Sequence, residues 1–149
     1  MTKHDAVEEY FGPEMEALAG AVMGYNYTPE KAYQVSLVTS YSDKLLRKYL
    51  IGAEKEYGFV IVLTRAYSTD TEDNLNLEAM NFAQSVMDWI EEKNRLKQYP
   101  QFPAGCQIKK MECLQNMPNL AGVNAEEGVA QYMVQCRIVY YEQKGGTRE

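Results

Sequence analysis

Glu56-Tyr-Gly-Phe-Val-Ile-Val-Leu-Thr-Arg-Ala-Tyr-Ser-Thr-Asp-Thr-Glu-Asp-Asn74 decides the fold class of this chain. From Tyr57 to Tyr67 the residues alternate as in a strand. One face carries Tyr57, Phe59, Ile61, Leu63 and Tyr67; the other carries Val60, Val62 and Ala66. Both faces are apolar in the middle, which predicts a central strand covered on part of both sides. Ser68 to Asn74 then stops the strand. Thr69-Asp70-Thr71-Glu72 fits a capping box, with Thr71 and Asp73 as competing caps. Asp70, Glu72 and Asp73 also suit the positive end of a helix dipole. The helix that follows runs to about Asn94 by its 3.6-residue period. Leu75, Ala79, Phe82, Ala83, Val86 and Ile90 share one face with Trp89 at its flank; Asn81, Gln84, Asp88, Glu91, Glu92 and Arg95 lie opposite. That is a helix laid on a sheet with a wet outer face.

Working outward, Glu8 to Met23 reads as a first helix, with Met15, Leu18, Ala19 and Val22 at helical spacing. Gly12-Pro13 places its well-formed start at Pro13, and Gly24 can end it. Tyr25 to Lys31 is a linker. Gln34 to Tyr41 alternates as a strand, and Ser42-Asp43 is a turn signal. The apolar run Leu45 to Ile51 fits a strand or a short helix; Gly52 and the strand after it favour a hairpin. Beyond the second helix, Pro100, Pro103 and Gly105 mark a loop. Cys106 to Gln115 is a strand whose alternation slips at Lys109-Lys110, as at a bulge. Met117 to Gly128 reads as a polar loop. Val129 to Glu142 is the last strand, with Ala130, Tyr132, Val134, Cys136, Ile138 and Tyr140 on one unbroken apolar face. Lys144 to Glu149 is a loose tail. The expectation is a single domain over residues 1–149: an N-terminal helix and linker (1–31), a sheet with its helix (32–143) and a flexible tail (144–149). Its class is α+β, an antiparallel or mixed sheet of about five strands with both helices on one face.

A chain of 149 residues buries roughly 70% of its unfolded surface, enough for a core without disulfides or metals. The net charge of -6 argues against a nucleic-acid binder held by phosphate contacts, which needs a basic face. No apolar run approaches the roughly 18 residues of a membrane span. Met1-Thr-Lys-His-Asp5 lacks the apolar core of a signal peptide, so synthesis in the cytoplasm is expected. Cys106, Cys113 and Cys136 have no CxxC spacing and read as buried free thiols. The 12 tyrosines suit half-wet strands and protein interfaces.

Chemistry-bearing patterns are sparse. His4, the one histidine, falls in a terminus expected to fray, where a catalytic imidazole lacks a fixed orientation. There is no GxSxG elbow and no glycine-rich phosphate loop. Asp70, Glu72 and Asp73 lack the glycine and distant glutamate of a calcium loop, which leaves helix capping. No catalytic residue, cofactor site or metal site is expected, and the chain reads as a non-enzyme.

Lys48-Tyr-Leu-Ile-Gly52, Tyr57-Gly-Phe-Val-Ile-Val62, Ala66-Tyr-Ser-Thr-Asp70, Asp88-Trp-Ile-Glu-Glu92 and Gln131-Tyr-Met-Val-Gln-Cys-Arg-Ile-Val-Tyr-Tyr141 follow one another in an order and spacing. Together they resemble the tail-terminator or minor capsid proteins of long-tailed phages and prophages of Gram-positive bacteria, over most of Gln34 to Gln143. The resemblance implies an α+β subunit that assembles with itself into a ring, commonly a hexamer, capping the tail tube and joining it to the head. It implies the tail-tube protein and the head–tail connector as partners, with no cofactor, no specific nucleic-acid binding and no membrane. The places implied are the host cytoplasm during assembly and the head–tail junction of the virion. An acidic lumen would let DNA slide. Some relatives carry a chloramphenicol-resistance label, but His4 is not in the H-x-x-x-D context that acetyltransferase chemistry needs. Assembly surfaces in such proteins lie on loops and strand edges. The candidates are Arg47, Lys48 and Tyr49 beside Gly52, then Asp70, Glu72 and Asp73, then Asn119, Asn124 and Glu126. Each of these segments also reads as an ordinary solvated loop. The rival functions are a small-molecule-binding or resistance-type protein of prophage origin, with a pocket near Trp89, and an enzyme with a divergent site.

Overall fold

The computed structural model describes residues 2–19, 23–25, 34–66, 75–115, 117, 119–124 and 128–143. The chain order is α1 (Lys3–Ala19), β1 (Gly24–Tyr25), β2 (Gln34–Lys48), β3 (Gly52–Ala66), α2 (Leu75–Leu96), β4 (Cys106–Cys113), β5 (Asn119–Asn124) and β6 (Val129–Gln143). The fold is α+β. β2, β3 and β6 form an antiparallel centre, with β3 between the other two. β4 pairs with residues 136–142 of β6 and β5 with residues 129–133, so the two share one edge of β6 end to end. β1 adds a short parallel pairing to β2, which makes the sheet mixed.

One face of the sheet holds the core. Val35 and Leu37 of β2, Tyr57, Phe59, Ile61 and Leu63 of β3, and every even position of β6 from Ala130 to Tyr140 are buried. The period-2 reading of β3 and β6 is therefore the observed one. Both helices lie on this face. α1 supplies Val7, Phe11 and Met15, spaced by four so that they stack on one side. α2 supplies Ala79, Ala83, Val86, Met87 and Ile90. The Phe11 ring joins the layers, 5.1 Å from Phe59 and 5.6 Å from Trp89.

Several sequence expectations are corrected. α1 starts well before Pro13. Thr2 and Asp5 cap it reciprocally: Asp5 N–H donates to Thr2 Oγ1 at 3.1 Å, and Thr2 N–H to Asp5 Oδ2 at 3.0 Å. With that start fixed and the Val7–Phe11–Met15 stripe buried, the helix runs through Pro13 despite the lost backbone bond. Ser42-Asp43 is no turn. β2 continues unbroken past it, and Asp43, at a φ of 59°, sits among three register shifts against β3. An aspartate tolerates the left-handed region at a bulge as well as at a turn, so the residue type alone misleads. The hairpin favoured at Gly52 is the observed one, with Leu45 and Leu46 in its first strand. The polar loop of 117–128 contains β5. Tyr25, expected in a linker, lies in β1. The slip at Lys109-Lys110 is a real register shift, between Ile108 and Lys110. The α2 cap at 68–74, the remainder of the 25–31 linker, Val22 and the tail 144–149 lie outside the described residues.

Glycine is needed at two points. A Cβ on Gly58 would run into the Tyr41 ring, which lies across β3 at that position. A Cβ on Gly52 would meet the Tyr141 ring and, at 2.7 Å, the Glu142 carbonyl.

Candidate assembly surface

β2 and β3 make a hairpin of two 15-residue strands, closed where Tyr49 N–H donates to the Gly52 carbonyl at 2.8 Å. At its tip the strand alternation fails. Leu45, Leu46, Tyr49, Leu50 and Ile51 are all exposed, Leu50 to 94%. Leaving such side chains in water forgoes about 1.5–3 kcal/mol for each one that a partner could bury. Lys44, Arg47 and Lys48 ring this apolar tip with positive charge. The Tyr49 ring leans on Tyr141 at 5.9 Å, and these two rings with Glu54 and Lys109 line a groove of about 260 Å³.

A few residues below its tip, the hairpin is tied to the rest of the molecule. Tyr140 hydroxyl donates to Asp43, and Lys3 Nζ lies 3.2 Å from Asp43 and 3.8 Å from Glu142. Lys55 completes the cluster on Glu142 at 2.9 Å. Burial pushes the Asp43 carboxyl up, but the hydrogen bonds from Tyr140 and Lys3 and the charge of Lys3 outweigh it and hold it below its ordinary value. On the opposite face, Glu56 is buried and paired: Arg137 donates to it at 3.1 Å, and the Tyr41 hydroxyl donates to it as well. Arg137 also reaches Glu112 at 2.6 Å. Burial, and then the Glu56 carboxylate, push the Tyr41 phenol up to about 12.

A second apolar patch lies at the other end of the sheet. Leu114, Met117, Leu120 and Val123 are exposed on and before β5. Gln115 braces this connection. Its Nε2 donates to the carbonyls of Met117 (2.8 Å) and Met133 (3.1 Å), while its Oε1 accepts from Gln135 N–H at 3.1 Å.

Among the residues expected to carry assembly, Arg47 and Lys48 close β2, and Tyr49 opens the turn, all exposed. Asn119 and Asn124 stand at the two ends of β5. Asp70, Glu72, Asp73 and Glu126 lie outside the described residues. Arg47, Lys48 and Tyr49 thus share one surface, and Asn119 and Asn124 belong to another, far along the sheet. Sequence reading missed the leucines and isoleucine that dominate the tip. The signal was present: the run Leu45 to Ile51 fits a strand and a short helix alike, and an apolar segment whose period selects no single face is poorly placed to bury itself.

His4 differs from its expectation. It belongs to the first turn of α1, and its Nδ1 lies 2.9 Å from the hydroxyl of fully buried Tyr57, itself 2.9 Å from Thr39 Oγ1. Of the cysteines only Cys136 is buried; Cys106 and Cys113 are half-buried, and all are free. Cys113 and Cys136 face each other across β4 and β6 with sulfurs 3.9 Å apart. Burial pushes the Cys136 thiol well up, so it is held as a thiol. Trp89 packs against Tyr10 and Phe11, and it lines neither the groove at the hairpin nor a larger one of about 580 Å³ beside residues 97–108. Among the described residues no three His, Cys, Asp or Glu side chains converge as a metal site, and no helix is long and apolar enough to cross a membrane. Neither a scan against protein-family models nor a search of curated proteins returns a match for this chain.

Proposed function

We propose that this chain is a structural subunit of the phage tail-terminator or minor capsid kind, which closes into a ring at the junction of head and tail. The observation that carries the reading is the hairpin: a pair of 15-residue strands, clamped a few residues below its tip by Lys3, Asp43 and Tyr140, that presents five large apolar side chains to water at that tip. A free-standing protein gains little from holding Leu50 and Ile51 there, whereas a subunit gains a contact. The net charge of -6 suits a ring through which DNA passes without sticking. The sequence resemblance supplies the kind of assembly, and with it the tail-tube protein and connector as partners. On this reading the chain is not an enzyme and needs no cofactor.

Electron microscopy and light scattering of the purified chain, alone and mixed with tail-tube protein, test the proposal. Rings, free or seated on tube ends, are the expected result. A chain that stays monomeric and engages neither tubes nor connectors overturns it.

A further inference from the structure

We propose that the ring contact is made tip to edge: the apolar tip at residues 45–51 of one copy docks on the exposed β5 edge of the next. The inference rests on the ring reading above and names its contact.

Three features of the sheet select this pairing. The first is position. The tip lies beyond the Gly52–Gln143 end of the β3–β6 ladder, while β5 pairs with β6 beside its Ala66–Val129 end. Fifteen strand residues at about 3.3 Å each separate the patches by roughly 45 Å, so a tip cannot reach the β5 of its own molecule. Two unlike patches at opposite ends of one subunit are the geometry of a head-to-tail contact, which closes into rings when the rotation permits.

The second is the condition of the edges. β2 is made irregular by three register shifts against β3, and β1 takes up part of its outer edge at Ser36 and Leu37. The outer edge of β4 is covered: Met111 N–H donates to Asn94 Oδ1 at 2.9 Å, and the Tyr99 hydroxyl reaches the Lys109 carbonyl at 3.4 Å. Bulges and covered groups of this kind protect an edge from pairing. Among the described residues β5 pairs with β6 alone, and it carries exposed Leu120 and Val123, next to Leu114 and Met117.

The third is charge. The tip carries Lys44, Arg47 and Lys48, which oppose the approach of a second tip. β5 itself, Asn119–Asn124, carries no charged residue, and Glu112 before it is taken up by Arg137 and Lys110. Like-charge contact between two tips is disfavoured, and an uncharged edge meets the tip without that repulsion.

A mixing experiment tests the contact. Leu50→Asp disables the tip and leaves the edge; Val123→Asp disables the edge and leaves the tip. Both sites are exposed, so the circular dichroism and melting temperature of each monomer serve as folding controls. Each variant alone is expected to lose self-association by at least about tenfold, the effect of removing one hot-spot side chain. Mixed in equal amounts, they are expected to form a species of two copies by analytical ultracentrifugation and nothing larger, because one good tip meets one good edge. Loss of association in the tip variant alone, with the edge variant still forming rings, overturns the contact in favour of a tip docked on another surface of the next copy. Rings that survive both substitutions overturn it while leaving the ring reading in place. A wild-type chain that stays monomeric, with and without tail tubes, overturns both.

Discussion

The middle of the sheet and the tip of its hairpin use the same side chains to opposite ends. In the middle of β3, Tyr57, Phe59, Ile61 and Leu63 repeat every second residue, so all fall on one face, and α1 and α2 cover that face. At the tip, Leu45, Leu46, Tyr49, Leu50 and Ile51 are as apolar, but they are adjacent in sequence, and adjacent strand residues point to opposite faces. Among the described residues no helix covers either face there. Composition is therefore silent about which of these regions is core. Period and coverage decide it.

The comparison breaks first if the middle of the sheet tolerates truncation. Phe59→Ala removes a ring that contacts Phe11 and Tyr57 and is expected to cost about 3–5 kcal/mol, read from the urea midpoint. A loss below about 1 kcal/mol would show that the helices do not hold the face closed.

Arg137→Met comes next. It leaves the Glu56 carboxylate, whose side chain is 5% exposed, with the hydrogen bond from the Tyr41 hydroxyl but without its cation. The expected loss is about 1.5–3 kcal/mol, the range for hydrogen bonds to charged groups. Glu56→Gln in the same background should recover part of it, since the buried charge is then gone.

Gly58→Ala probes the boundary between the two regions. The added methyl displaces the Tyr41 ring from β3 and with it the bond to Glu56, for an expected cost of about 1–3 kcal/mol. A small Tyr41→Phe effect beside a large Gly58→Ala effect would assign the cost to the ring's position, not to its hydroxyl.

Alkali tests the same packing without mutation. Burial, with Glu14 adding, pushes the Tyr10 phenol up to about 12, and burial with Glu56 does the same for Tyr41. Unfolded tyrosines ionise near 10. The unfolded chain thus loses these protons first. The stabilisation is complete below a pH of about 10 and disappears as the pH rises towards about 12. Melting temperature against pH, with phenolate absorbance followed in parallel, should show both changes together.

Smallest is the effect of Leu50→Ala on the isolated subunit, expected within about 0.5 kcal/mol because the side chain touches mainly water. Its consequence should appear in assembly alone.

The legible parts of the sequence were those with a strict period. β6 could be read residue by residue because six even positions are apolar in an unbroken row. The slip at Lys109 was visible because it interrupts such a row. β5 was not legible, because Asn119-Leu-Ala-Gly-Val-Asn124 is short and does not alternate; it becomes a strand by pairing with β6. The start of α1 was missed because Gly12-Pro13 is a strong local signal, while the Thr2–Asp5 cap that overrides it is a subtle one. Of the assembly surface, the cations Arg47 and Lys48 could be found by position. The apolar tip they surround needed the structure, since an undecided run acquires meaning only when nothing is seen to cover it.

Asn94 settles a question of valence. Its side-chain oxygen accepts from both Met111 N–H and the Tyr99 hydroxyl, each at 2.9 Å, and so it shuts the β4 side of the sheet with one amide. A subunit with one tip and one receptive edge has two sockets of unlike kind. Such units can be strung into a line or closed into a loop, and they cannot branch. Were Asn94 absent, the β4 edge would become a third socket, and a closed ring would compete with an open network for the same protein.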